Sequence, residues 1–120
     1  MKQDGYIKYN NISIIKEDAE ECIAKVELTK NSLNPYNIAH GGLIFSLGDT
    51  VMGFACRALG RKAVTLNASI DFLRPGTGKY LLAKSKIIKE GHQTTVLKAT
   101  ITNDEGTLIA TMNSTYFFID

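Results

Sequence analysis

At 120 residues, 44% hydrophobic and 22% charged, the chain is the size of one globular domain whose core needs no staple. A net charge of +2 is too small to argue for nucleic acid as a partner. Residues 1–56 carry 5 Lys/Arg against 7 Asp/Glu, whereas residues 57–120 carry 9 against 5. Solvated strand faces explain that mildly basic C-terminal half, and a phosphorylated ligand would also suit it.

Residues 1–11 form a polar lead-in without the apolar run of a signal peptide. Ile12–Lys16 reads as a strand and Glu17–Glu21 as an acidic turn. Cys22–Thr29 alternates, with Cys22, Ala24, Val26 and Leu28 on one face. Cys22 and Cys56 lie in apolar surroundings, as core thiols of a reducing compartment do; a disulfide between them stays open.

Asn34–Cys56 holds one charged residue, Asp49, in an otherwise apolar or small-residue run. From Gly41 onward the run predicts a helix hydrophobic on every face, hence buried on all sides. It is too short and too rich in Gly to span a bilayer, which with the lead-in predicts a cytoplasmic protein and no membrane partner. A carboxylate inside such a helix must be paired or hydrogen-bonded, and desolvation would raise its pKa and improve it as a base. Asp49 could instead cap a second helical segment after Gly48. The apolar positions Leu43, Ile44, Leu47, Val51, Phe54 and Ala55 on both sides favour one helix. His40-Gly41-Gly42 opens the run, and free N–H groups at a helix start can hold developing negative charge.

Four segments of period two follow. In Ala63–Arg74, Val64, Leu66, Ala68, Ile70 and Phe72 are expected on one face; Thr65, Asn67, Ser69 and Asp71 on the other. Pro75–Gly78 is a turn. Lys79–Lys89 puts Leu81, Ala83, Ser85 and Ile87 on one side, and Thr94–Thr102 does the same with Leu97, Ala99 and Ile101. Asn103–Gly106 signals a hairpin, and Thr107–Ile119 closes the chain as a long strand. Short hairpins imply antiparallel pairing. One apolar helix and one antiparallel sheet make an α+β domain spanning 1–120, its sheet curled around its helix.

The pattern resembles the hotdog fold, and within it the PaaI-like acyl-CoA thioesterases of the phenylacetic acid degradation type. Their motif is an Asn, a His-Gly-Gly six positions on, and an Asp nine after that His; here these are Asn34, His40-Gly41-Gly42 and Asp49. Asp71-Phe72-Leu73-Arg74-Pro75 looks like the family's strand end. The resemblance covers roughly residues 12–119. It implies that Asp49 is general base or nucleophile on a thioester carbonyl, that Asn34 and the Gly41 N–H polarise that carbonyl, and that a hydroxyl, here Thr65, helps place water. It implies that coenzyme A enters as part of the substrate with no separate cofactor or metal. Gly42, Arg74, Lys89, Gly91, His92 and Gln93 are its substrate- and CoA-binding candidates, and a homodimer or a homotetramer of paired dimers is its assembly.

Each residue also has a plainer reading. His40 alone is more often structural; in register with Asn34 and Asp49 it takes a site role, orienting rather than proton-transferring. Gly41 and Gly42 could simply permit close packing. Asn34 before Pro35 is a good turn residue. Asn67 and Ser69, expected beside Thr65, read as ordinary polar strand residues. Tyr36, Phe45, Met52 and Phe54 are candidates for the acyl pocket wall.

Gly41 and Asp49 stand eight residues apart, about 12 Å along one helix at roughly 1.5 Å per residue. A helix-start N–H and a mid-helix carboxylate of one chain therefore cannot both touch one thioester carbon. If both act, they come from two subunits of an isologous dimer. Two other functions compete. A hotdog hydratase would need Asp and His where Ser32 and Asn37 stand, and a non-catalytic acyl-CoA sensor would have no need of the acid.

Overall fold

The computed structural model describes residues 5–120. Six strands form one antiparallel sheet: β1 (Ile12–Lys16), β2 (Ile23–Glu27), β3 (Ala63–Phe72), β4 (Tyr80–Glu90), β5 (Thr94–Asn103) and β6 (Leu108–Phe118). Their spatial order is β1-β2-β4-β5-β6-β3, which leaves β1 and β3 as edges. Between β2 and β3 runs the long helix α2 (Gly41–Ala58). This is the hotdog architecture expected from the sequence. The polar lead-in differs from expectation by containing a one-turn helix, α1 (Tyr6–Tyr9), whose Tyr6 hydroxyl lies 2.6 Å from Ser46 Oγ on α2.

Helix α2 starts and stops for local reasons. His40 is its N-cap, with extended backbone angles and Nδ1 accepting from the Gly42 N–H at 2.8 Å. At the other end Gly60 adopts φ +80°, the Gly60 N–H donates to Arg57 O, and the Arg61 N–H donates to Cys56 O. That pair of bonds is a Schellman stop, which needs a residue tolerant of the left-handed region.

The inner sheet face packs on α2. Ala24, Val26, Leu81, Ala83, Leu97, Ala99, Ile101 and Met112 are buried there with Ile44, Leu47, Val51 and Met52 of the helix. Gly48 allows the closest approach: a Cβ on it would sit 2.1 Å from Met112 Sδ. Cys22 and Cys56 are free buried thiols, both pushed up to about 11 chiefly by burial. The chain end is clamped to the start of β3. Asp120 accepts from Arg61 Nε at 2.8 Å, from the second guanidinium nitrogen at 3.0 Å and from the Lys62 N–H at 3.1 Å.

Two expectations fail in an instructive way. Helix α2 is not buried on every face in the single chain. Ile44, Leu47, Gly48, Val51, Met52, Ala55 and Cys56 are buried, while Gly42, Phe45, Ser46, Asp49, Thr50 and Gly53 form a stripe that is exposed or half-exposed. The alternation of β3 is also broken. Its register with β6 shifts between Thr65 and Asn67, so Leu66 is an extra residue in the strand. The bulge moves Thr65 to the helix side with Ala68 and Ile70, and puts Asn67 and Ser69 opposite it. Strict period two had placed Thr65 with Asn67 and Ser69.

Candidate active site

The bulge carries Thr65 to Asp49. Thr65 Oγ1 donates to Asp49 Oδ1 at 2.7 Å. On the neighbouring strand Tyr116, the direct cross-strand partner of Thr65, donates to the same Oδ1 at 2.5 Å and to the Asp49 carbonyl oxygen at 2.7 Å. One carboxylate oxygen is thus held by two hydroxyls. Oδ2 has no hydrogen-bond partner among the described residues. Asp49 is only half-buried because it lies on the open stripe of α2, not sealed in the core as the sequence suggested. It is mid-helix, so the reading of Asp49 as a second N-cap does not hold.

Tyr116 was not singled out from the sequence, although a signal existed. Met112, Ser114, Tyr116 and Phe118 alternate inward along β6, and a buried tyrosine hydroxyl needs a partner. Burial, the Asp49 charge and the Asp49 hydrogen bond raise the Tyr116 phenol well above its ordinary value, so it remains a proton donor.

At the helix start the cap assigns different tasks to the two glycines. The Gly42 N–H is used by His40 Nδ1. A Cβ on Gly42 would lie 3.0 Å from that nitrogen, so the cap favours glycine there. The Gly41 N–H has no acceptor among the described residues. Because Nδ1 accepts, neutral His40 carries its proton on Nε2, and its observed task is orienting the helix start. Phe72, half-exposed at the end of β3, stacks close to Gly41: a Cβ there would meet its ring at 3.4 Å.

Asn34 organises the loop before the helix. Its Oδ1 accepts the Tyr36 N–H at 2.9 Å and the Ile38 N–H at 3.3 Å. The loop closes further by Asn34 N–H to Ile38 O and His40 N–H to Ser32 O. Asn34 is therefore a turn residue, as its plainer reading held. The same bonds orient its amide, and Nδ2 has no partner among the described residues. A cavity of about 640 Å³ opens beside the helix start, lined in part by Tyr6, Tyr9, Leu33, His40, Gly42 and Leu43.

The remaining candidates are scattered on one chain. Arg74 lies at the end of β3, with a guanidinium N–H donating to Leu108 O at 2.9 Å. Lys89, Gly91, His92 and Gln93 lie at the β4–β5 turn, where the Gly91 N–H donates to Thr94 O and the Gln93 carbonyl accepts from Phe118. The strand registers place that turn beside the start of β3 and Arg74 beyond its end, roughly 30 Å apart at about 3.3 Å per residue. Of the pocket-wall candidates, Met52 and Phe54 are buried in the chain's own core, Phe45 is half-buried and Tyr36 is 82% exposed.

A six-stranded antiparallel sheet packed on one long helix is the architecture of hotdog-fold thioesterases. The chain belongs to the thioesterase superfamily, whose family model matches residues 36–110. It is 36% identical over 110 residues to the acyl-coenzyme A thioesterase PaaI of Escherichia coli K12, covering 91% of this chain and 79% of that protein. The solved structure of E. coli PaaI, from the phenylacetic acid degradation operon, matches with TM-score 0.91 at 32% identity, covering 98% of this chain and 86% of that one. A Streptococcus pneumoniae TIGR4 hypothetical thioesterase solved with coenzyme A matches with TM-score 0.87 at 32% identity, covering 92% and 90%. A Streptococcus mutans UA159 protein bound to acetyl-CoA matches with TM-score 0.86 at 32% identity, again covering 92% and 90%.

Proposed function

We propose that the chain is an acyl-CoA thioesterase whose active site is shared by two subunits of a homodimer. The observation that carries this reading is Asp49: a half-exposed carboxylate, tied at Oδ1 and free at Oδ2, about 12 Å by helical rise from the free Gly41 N–H of the same chain. Relatives solved with coenzyme A and acetyl-CoA support the substrate class.

The thioester carbonyl oxygen rests on the Gly41 N–H and on Asn34 Nδ2 of one subunit. Asp49 of the partner subunit takes a proton at Oδ2 from a water that attacks the carbonyl carbon. The C–O bond forms, negative charge collects on the carbonyl oxygen, and collapse breaks the C–S bond. The thiolate leaves and takes up a proton, giving the carboxylic acid and free CoA. Direct attack by Oδ2 would give an anhydride that water then opens, with the same products. Coenzyme A arrives with the substrate, and the chemistry calls for no further cofactor or metal.

A second copy has a place to bind. β3 is a ten-residue edge strand, Val64 and Leu66 on it are 47% and 62% exposed, and the open stripe of α2 is also uncovered in one chain. An isologous pairing across these surfaces would bring two helices together and generate two equivalent sites. Arg74 and the Lys89–Gln93 turn, at opposite ends of one sheet, would then meet one CoA only from different subunits.

Release of free thiol from a panel of acyl-CoAs tests the reading. Turnover of at least one member is expected. Saturable acyl-CoA binding without thiol release would make the chain a binding or sensing protein instead.

A further inference from the structure

We infer that Tyr116 is a positioning residue for Asp49: its hydroxyl, shared between the Asp49 side chain and the Asp49 backbone carbonyl, fixes the carboxylate so that Oδ2 is the oxygen that reacts. The inference rests on the thioesterase reading for its kinetic consequence but not for its structural one.

Three observations support it. First, Tyr116 is 2% exposed and spans from β6 to the backbone of α2, so its hydroxyl is held by packing and not by the site. Second, one phenolic oxygen contacts both Asp49 Oδ1 and Asp49 O, which restricts side-chain rotation relative to the helix itself. Third, Thr65 supplies a second donor to the same oxygen, because the Leu66 bulge turns it inward opposite Tyr116. Oδ1 is then crowded by Thr65 and by the shared Tyr116 proton, which leaves Oδ2 as the open oxygen for the proton or the electrophile.

Few other groups compete for this role. Tyr6 of α1 bonds Ser46 one turn before Asp49, His40 caps the helix start, and Cys56 lies two turns after. The inward faces of β2, β4 and β5 carry, among the described residues, one charged side chain, Glu90, which pairs with buried Thr95 and acts on Cys56 rather than on Asp49.

The test is Tyr116→Phe, which removes the hydroxyl and leaves the ring in the core. Loss of a hydrogen bond to a charged group predicts a fall in kcat of about 10- to 100-fold with KM within about two-fold. The acidic limb of the kcat profile should move to higher pH, since a donor to the ionised form is gone. A merely structural tyrosine would not move that limb. In parallel, the carboxyl carbon of Asp49 is titrated by NMR in ¹³C-Asp-labelled wild type and variant, where a higher midpoint in Tyr116→Phe is expected. This second readout needs no turnover, so a wild type that releases no thiol sinks the thioesterase reading while the titration still decides the role of Tyr116. If Tyr116→Phe does not fold, site-specific 3-fluorotyrosine at the same position keeps the hydroxyl and strengthens it as a donor, and the Asp49 midpoint should fall. Unchanged kcat and unchanged Asp49 titration in the variant overturn the inference.

Discussion

Mixing two inactive chains should restore activity, and the amount follows from geometry. In the Asp49→Asn homodimer both sites lack the base; in the Asn34→Ala homodimer both lack a carbonyl donor. Because Gly41 and Asp49 are about 12 Å apart along α2, each site of the proposed dimer draws Asn34 from one chain and Asp49 from the other. In a heterodimer one site inherits both defects and its twin inherits neither. Random pairing makes about half of the dimers mixed, each with one intact site of two, so roughly a quarter of wild-type activity returns. The background is low, since one lost oxyanion donor costs about 10²–10³ in rate. Substitution at Asn34 also removes the two loop bonds accepted by its Oδ1, so the Ala homodimer must first be shown folded. Chains carrying different tags are co-expressed, the doubly tagged species is isolated, and thiol release per dimer is measured. In that purified species half of wild-type activity is expected. Confirmed heterodimers as inactive as their parents would refute the shared site.

Other outcomes follow from the packing and the chain end. Gly48→Ala puts a methyl group where Met112 Sδ lies 2.1 Å away and Ile101 Cδ1 3.3 Å away, and overpacking of this kind costs about 1–3 kcal/mol. Chemical denaturation should show a lower midpoint with an unchanged slope; equal stability would mean that Met112 swings aside freely. Asp120 is held below its usual carboxyl value, first by the Arg61 hydrogen bonds. Its stabilisation is present above the unfolded carboxyl value and is lost as pH falls through the folded one. Asp120→Asn should therefore lower thermal stability near neutral pH and converge with wild type in acid. A difference that persists below the folded carboxyl range would assign the effect to something other than the Arg61 pair.

How much was legible in the sequence varied with the kind of signal. The order of strands and the single helix followed from periodicity, because inward positions such as Leu81, Ala83, Leu97 and Ala99 repeat without interruption. Asp49 stood out as the one charge in an apolar run, and His40 and Asn34 joined it through the resemblance to a family motif. What escaped was what one extra residue does: Leu66 resets the faces of β3, and strict alternation sent Thr65 the wrong way. Tyr116 escaped because its partner is 67 positions away, a distance that no local pattern spans. The half-open stripe of α2 escaped for another reason: apolar and small residues look the same whether they face their own sheet or a second subunit. Met52 and Phe54 are buried in the chain's own core and Phe45 lies on the open stripe, and only the packing distinguishes them.

Turnover by Asp49→Asn tests the central claim most directly. The amide is nearly isosteric, and its oxygen can still accept from Thr65 and Tyr116, so fold and assembly should be kept. It cannot take up a proton as a base or attack as a carboxylate. Measured on the best acyl-CoA substrate under saturating conditions, kcat should fall by about 10²–10⁴ while the acyl-CoA dissociation constant stays within a few-fold of wild type. A kcat within a few-fold of wild type would contradict the assignment of Asp49 as the reacting group.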